Sequence, residues 1–327
     1  MHRYFLIPMI SFFIIVCGFV IYMQFINEDW KFIGPKLILP ESCNDNSDIE
    51  FVIHDDDYIE DRSFQDNPDI FNGNQFHAIF LLPCERKDRK FDINLNIESS
   101  LLAINKWFFD KSKKQTIRLD KKINNQIDVT FLRVNKTMNW FINMTNENID
   151  RENNVSEIIE GIILTNKDKF NNFYMKKFII FFEGWEKRKS LNFNICGSSR
   201  FDGKIAIYYT FNAFKKYVGD DIINIKNNKK IFSCTKKDHL NDIGDYSFGD
   251  AEATILHEIL HTLGTPSKCA NNIDLTSPFH VSDHQHDILN KESGNIYLDY
   301  NNDDYYNHSI DGCFDLKNSK YLIEIIN

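Results

Sequence analysis

Ala253-Thr254-Ile255-Leu256-His257-Glu258-Ile259-Leu260-His261-Thr262-Leu263-Gly264 is the stretch on which the reading of the chain turns. Placed at about 100° per residue, Ala253, Ile255, Leu256, Ile259, Leu260 and Leu263 share one broad arc, and Thr254, His257, Glu258 and His261 share the other. One side of this helix is built for a core and the other for a cleft. Ser247 with Asp250 three residues on suggests a capping box, Gly264 suits a left-handed C-terminal cap, and Pro266 prevents continuation. Residues four apart on a helix project from one face one turn apart. His257 and His261 can therefore reach a single ion, with the Glu258 carboxylate beside them, which is the H-E-x-x-H arrangement.

A catalytic zinc ion wants three protein ligands and one open position. The supply lies downstream: five of the ten histidines fall between 257 and 286, and His280, Asp283, His284, His286 and Asp287 lie within eight residues. The third ligand is expected among His280, Asp283, His284 and His286. A nitrogen-rich site makes Zn²⁺ the expected ion. Asp299, Asn301 and Asp303 alternate as in a Ca²⁺ loop, but the glycine at the sixth position and the closing glutamate are missing. That argues against calcium there.

Upstream, apolar runs alternate with helical patterns. Phe76 to Leu82, Gln115 to Leu119, Ile127 to Val134, Lys177 to Phe182 and Lys204 to Thr210 read as strands. Ile93 to Phe109 and Val155 to Phe173 read as helices, the first with Ile93, Ile97, Leu101, Ile104, Trp107 and Phe108 three or four apart. Strands interleaved with helices imply an α/β or α+β sheet in a domain spanning 74–327, large enough for one substantial core.

The beginning of the chain differs in texture. Tyr4 to Ile26 is a run of 23 uncharged, largely apolar residues after His2-Arg3, long enough to cross a bilayer. Residues 1–26 are thus expected to be an N-terminal signal anchor, a single-pass transmembrane helix with its N-terminus inside and the remainder outside the cytoplasm. A cleaved leader, giving a secreted protein, is the alternative. Residues 27–73 follow as an acidic linker or pro-segment. From Glu41 to Ile70 there are eleven acidic residues against one Arg, whereas the whole chain carries −9. A solvated spacer is expected there; as a pro-segment it could cap the metal through a Cys43 thiolate. Beyond Cys17 there are six cysteines, an even number that in an exported chain reads as up to three disulfides, with Cys196 to Cys234 and Cys269 to Cys313 as natural pairs. No basic stripe occurs, which excludes nucleic acid as a partner.

The run from His257 through Leu322 resembles a group of exported zincin-type zinc metalloprotease domains. In that group H-E-x-x-H-x-L-G is followed by an H-V-x-D element, a D-[LI]-M-Y element and a D-D-Y-Y segment before a late cysteine. The corresponding residues are His257 to Gly264, His280-Val281-Ser282-Asp283, Asp287-Ile288-Leu289-Asn290, Asp303-Asp304-Tyr305-Tyr306 and Cys313. Trp107-Phe108-Phe109 and Thr116-Ile117-Arg118-Leu119-Asp120 resemble the group's first helix and strand, so the likeness covers most of 74–325. It implies a zincin-like fold, a mixed twisted sheet with packed helices, an active-site helix and a loop-rich C-terminal subdomain. It also implies His280 as third ligand through the H-V-x-D element.

Two positions depart from the group. Leu289 stands where the methionine of a Met-turn is expected, and Asn290 where a tyrosine is expected. Leucine is close in volume to methionine, but asparagine does not replace a phenol that donates to an oxyanion. Tyr297, Tyr300, Tyr305 and Tyr306 are the candidates in its stead. The expected activity is that of a zinc-dependent peptidase, with Zn²⁺ on His257, His261 and His280, Glu258 as general base, and a protein or peptide substrate pairing with an exposed sheet edge near Lys204 to Thr210. The alternative is a catalytically inactive zincin-like extracellular binding or structural module, which Leu289 and Asn290 favour and the complete His257-Glu258-His261 set opposes.

Overall fold

Gln75–Leu82 is buried at all eight positions. Phe76, Ala78, Phe80 and Leu82 join one hydrophobic core, while Ile79 and Leu81 join another. Apolar side chains on both faces are the signature of a strand inside a parallel sheet covered by helices on both sides. The computed structural model describes residues 42–147, 155–184, 186–187, 194–210, 240–291 and 294–325. In chain order its main elements are β1 (Phe51–Val52), β2 (Gln75–Leu82), α1 (Asn96–Ser112), β3 (Gln115–Ile117), β4 (Val129–Val134), α2 (Met138–Glu147), α3 (Val155–Thr165), β5 (Lys176–Phe182), β6 (Glu186–Lys187), β7 (Asn194–Ile195), β8 (Gly197–Ser199), β9 (Ile205–Tyr209), α4 (Asp250–Thr262) and β10 (Leu322–Glu324).

Six strands form one sheet in the order β1-β4-β2-β5-β9-β8. The central four are parallel, Ile79 standing opposite Thr130 on one side and Ile180 on the other, with Ile180 opposite Ile207. The edge strands β1 and β8 run antiparallel. Helices α1 and α4 pack on the face that carries Phe80, through Ile97, Leu101, Ile104, Phe108, Leu256, Ile259 and Leu260. Helices α2 and α3 pack on the other, through Phe141, Ile159 and Ile163. Each such side chain, fully withdrawn from water, contributes about 1.5–3 kcal/mol. The result is a mixed α/β architecture with a mostly parallel sheet, in agreement with the alternating sequence pattern.

Several expectations need correcting. Helix α3 stops at Thr165 instead of running to Phe173, because Thr165 Oγ1 and Asn166 Nδ2 both donate to the Ile162 carbonyl and close the last turn. The stretch 204–210 is not an edge: β9 lies between β5 and β8, and β8 is the edge strand. The membrane-spanning signal anchor is also corrected, since no helix of the described residues is long and apolar enough to cross a membrane; residues 4–26 themselves lie outside the described residues.

From residue 42 on, the acidic segment is no free spacer: it packs on the domain, burying Asp57 and Asp66 while Asp48, Glu50, Asp55, Asp56, Glu60 and Asp61 stay at the surface. It runs along the β4 side of the sheet, pairing Phe51 with Val134, and Cys43 is bonded to Cys84. Asp57 is fully buried and takes a bidentate grip from Arg133 at 2.6 and 2.8 Å. Arg62 reaches Asp88 and Asp92 at 2.7 and 2.8 Å, and Asp66 pairs with the buried Lys176 ammonium. Each carboxylate taken from water here meets a cation or an N–H, which is what burial of charge requires. With Cys43 in a disulfide, no thiolate is left to cap a metal. Cys269 pairs with Cys313 as expected; Cys196 is also disulfide-bonded, and Cys234 lies outside the described residues. Disulfides are compatible with an oxidising compartment.

Candidate metal centre

Helix α4 starts at Gly249, whose N–H donates to Glu252 Oε2 at 3.0 Å, and Asp250 and Glu252 place negative charge on its first turn. Ser247 is not the cap; its hydroxyl donates to Asp245. At the other end Gly264 adopts φ +80°, the left-handed conformation expected of it. The apolar side is sealed in the core with β9 and α1, and Thr254 and Glu258 of the polar side lie against Gly197 of β8.

Along that side His257 and His261 stand with ring centroids 4.5 Å apart, and His280, from the loop after the helix, lies 5.1 Å from each. One nitrogen from each ring lies within 4.8 Å of the others. The outward nitrogens are held by acceptors. His257 Nδ1 donates to the Ile288 carbonyl at 2.7 Å, His261 Nδ1 to the Thr265 carbonyl at 2.9 Å, and His280 Nδ1 meets Ser277 Oγ at 2.8 Å and the Ser277 carbonyl at 3.3 Å. A ring that donates from Nδ1 to a carbonyl presents a lone pair at Nε2. The Nε2 atoms of His257 and His261 face each other at 2.9 Å, two lone pairs converging with no proton of their own to share. Burial, then His261 and His280, hold His257 well below its ordinary 6.5, and burial with His280 holds His261 at about 4. Neutral imidazoles with aligned lone pairs are the donor set a zinc-like cation takes. The three residues fit such an ion.

Glu258 is buried on the same side, and its Oε2 accepts from Ser199 Oγ at 2.6 Å. Gly197 lets β8 approach this closely: a Cβ there would lie 2.6 Å from Glu258 Cγ. Ser199 and Gly197 were missed by sequence reasoning, and only a Gly-Ser-Ser run too short to stand out as a strand marked them. Leu289 is fully buried and its carbonyl accepts from Val281 N–H at 3.0 Å. Asp287 holds that turn, accepting from Leu289 N–H, Tyr300 N–H and Tyr305 Oη, each at 2.8 Å, and burial pushes its carboxyl up to about 7.

The remaining candidates go elsewhere. His284 stacks on Tyr300 with centroids 4.3 Å apart and neighbours Tyr297 and His286. Tyr305 and Tyr306 direct their hydroxyls at Asp287 and the Ser112 carbonyl inside the core. Asn290 Nδ2 donates to the Val281 carbonyl at 3.2 Å. Of the alternating Asp299, Asn301 and Asp303, Asp299 turns Oδ2 to the N–H groups of Asp304, Tyr305 and Tyr306. Asp303 instead groups with Asp283 and Asp304.

A second buried set, Asp66, His77, Asp120 and Asp128, also has ligand-type residues close together. There the Lys176 ammonium fills the middle, 2.6 Å from Asp120, and both His77 nitrogens are engaged, by Asp120 at 2.9 Å and Thr130 Oγ1 at 2.8 Å. That set is an ion-pair network.

No protein-family model matches the chain, and no curated protein is similar to it. Two solved structures show a distant likeness, both of OgpA from Akkermansia muciniphila. The catalytically inactive form in complex with an O-glycopeptide (glycodrosocin) substrate aligns at 11% identity and a TM-score of 0.34, over 64% of this chain and 51% of that one. The wild type aligns at 10% and 0.31, over 64% and 52%. The chain spans about half the length of the solved chains it matches. Likeness of this degree leaves family and activity to be argued from the residues.

Proposed function

We propose that the protein is a zinc-dependent peptidase of zincin-like fold, with His257, His261 and His280 as metal ligands and Glu258 as general base. The observation that carries this reading is the convergence of three carbonyl- and hydroxyl-anchored imidazoles beside a buried carboxylate. Zinc bound there would supply Lewis acidity, polarising a scissile carbonyl and bringing the pKa of a water toward about 7. The protein's own part is positional. Ser199 fixes Oε2 of Glu258 and so orients the carboxylate that would take a proton from water and return it to the departing amine. Strand β8, paired on one side with β9, gives an extended peptide a backbone edge to lie along, and Gly197 brings that edge against Glu258.

Glu258→Gln removes the base without touching the imidazoles. Hydrolysis of a peptide library is expected to fall by roughly 10²–10⁴ while one zinc per chain is retained. Undiminished hydrolysis in that variant refutes the role of Glu258. The rival reading, an inactive zincin-like binding module, draws on the Asn290 side chain being turned to Val281 and on Tyr305 and Tyr306 being committed to the core. It predicts no cleavage of the library by the wild type with or without chelator.

A further inference from the structure

Asp283 lies three residues beyond His280, and its carboxylate meets those of Asp303 and Asp304 with an oxygen of each within 4.8 Å of the others. Asp304 is fully buried and accepts from Asn272 N–H at 2.7 Å and Asn272 Nδ2 at 3.1 Å. Both oxygens of Asp283 and one of Asp303 are buried with no hydrogen-bond partner. Behind them Asp299, only 6% exposed, gives Oδ2 to the N–H groups of 304–306 and buries Oδ1 without a partner. The ion pairs of the described residues lie elsewhere.

The Asp66 and Asp120 pair meets the same crowding with Lys176; here no basic side chain among the described residues does so. Like charges at this separation, half withdrawn from water, repel strongly, and orphaned buried carboxylate oxygens are costly. Something positive of small size is called for, and the donors are all oxygen, on irregular loops without an imposed octahedron. That selects a hard cation tolerant of geometry.

We propose that Asp283, Asp303 and Asp304 bind a divalent cation of the Ca²⁺ class, which clamps the His280 loop to the 303–304 turn. The connection to His280 is short: Asn272 N–H bonds Asp304, Ser282 N–H bonds the Asn272 carbonyl at 2.9 Å, and Asp274 N–H bonds the His280 carbonyl at 2.8 Å. The clamp deepens the peptidase reading by fixing its third ligand, but its test reads stability and can fail while that reading stands.

Thermal unfolding of the full chain is followed in calcium-stripped buffer containing zinc, before and after addition of millimolar CaCl₂. The wild-type midpoint is expected to rise by roughly 5 °C. Asp283→Asn and Asp303→Asn should lose that response and, because each removes one of the repelling charges, should unfold at a higher temperature than the wild type when calcium is absent. The order then crosses when calcium is added. A wild-type midpoint that ignores calcium overturns the proposal without recourse to any variant. So does a rise of equal size in both Asn variants.

Discussion

Two clusters of ligand-type side chains, one around His77 and one around His257, sit in one molecule and are wired in opposite ways. Around His77, the Lys176 ammonium takes an oxygen each from Asp66 and Asp120, and both ring nitrogens are engaged by Asp120 and Thr130. Around His257, the outward nitrogens are held by protein acceptors and the inward ones converge. Both bring ligand-type atoms within 4.8 Å of one another, three imidazoles in one and a single imidazole with three carboxylates in the other. What separates a cation site from an ion-pair network is which side of each ring the backbone has already claimed.

The sharpest way to break this contrast is to remove one member of each cluster. His261→Ala is expected to abolish stoichiometric zinc and to lower hydrolysis by at least about 10³, while the metal-free protein, relieved of a crowded ring, changes its unfolding free energy by less than about 2 kcal/mol. Metal analysis, peptide digestion and urea unfolding read the three quantities. In Lys176→Met the pattern inverts. Asp66 and Asp120 are left buried without their cation, so unfolding in urea should show a loss of about 3–5 kcal/mol, with bound zinc unchanged. Equal destabilisation by both variants would erase the distinction.

Smaller effects sharpen it. Ser199→Ala removes the hydroxyl that donates to Glu258 Oε2 and should lower turnover about tenfold with zinc retained, as steady-state kinetics would show. Proton uptake supplies the finest test. His261 sits at about 4 in the fold against an ordinary 6.5, so between those values the metal-free fold binds fewer protons than the unfolded chain. Its stabilisation is complete above about 6.5 and is lost as pH falls to about 4. Burial raises Asp66 from 3.8 to about 6, which has the opposite sign: its ionised form costs stability above about 6, and that cost fades as pH falls toward 3.8. Imidazole resonances followed by NMR in the metal-free protein should show His261 neutral down to about pH 4; a midpoint near 6.5 would mean that the ring is not desolvated.

Helix α4 was legible because burial imposes a period on it, and strands β2, β4, β5 and β9 because a sheet covered on both faces leaves continuous apolar runs. His280 was legible through its H-V-x-D setting more than through chemistry, since His284 and His286 are equally good ligands in isolation. The acidic segment was misread for a physical reason. Charge counted along the chain marks a stretch as solvated, yet Arg133 and Lys176, which neutralise Asp57 and Asp66, lie more than seventy residues away. Edge and interior strands were confused because β8 has three residues and no periodicity to show.

The strap from Cys43 to Asp66 bears on any attempt to trim the protein. A recombinant fragment beginning at Asn74, where the apolar texture starts, would strip Arg133 of its carboxylate and leave Lys176 with Asp120 in place of its full set of acidic partners, so that one cation is stranded inside the sheet's flank. Such a fragment should accumulate as aggregate, while one that keeps the chain from just before Cys43 retains its own counter-ions and the covalent staple to Cys84.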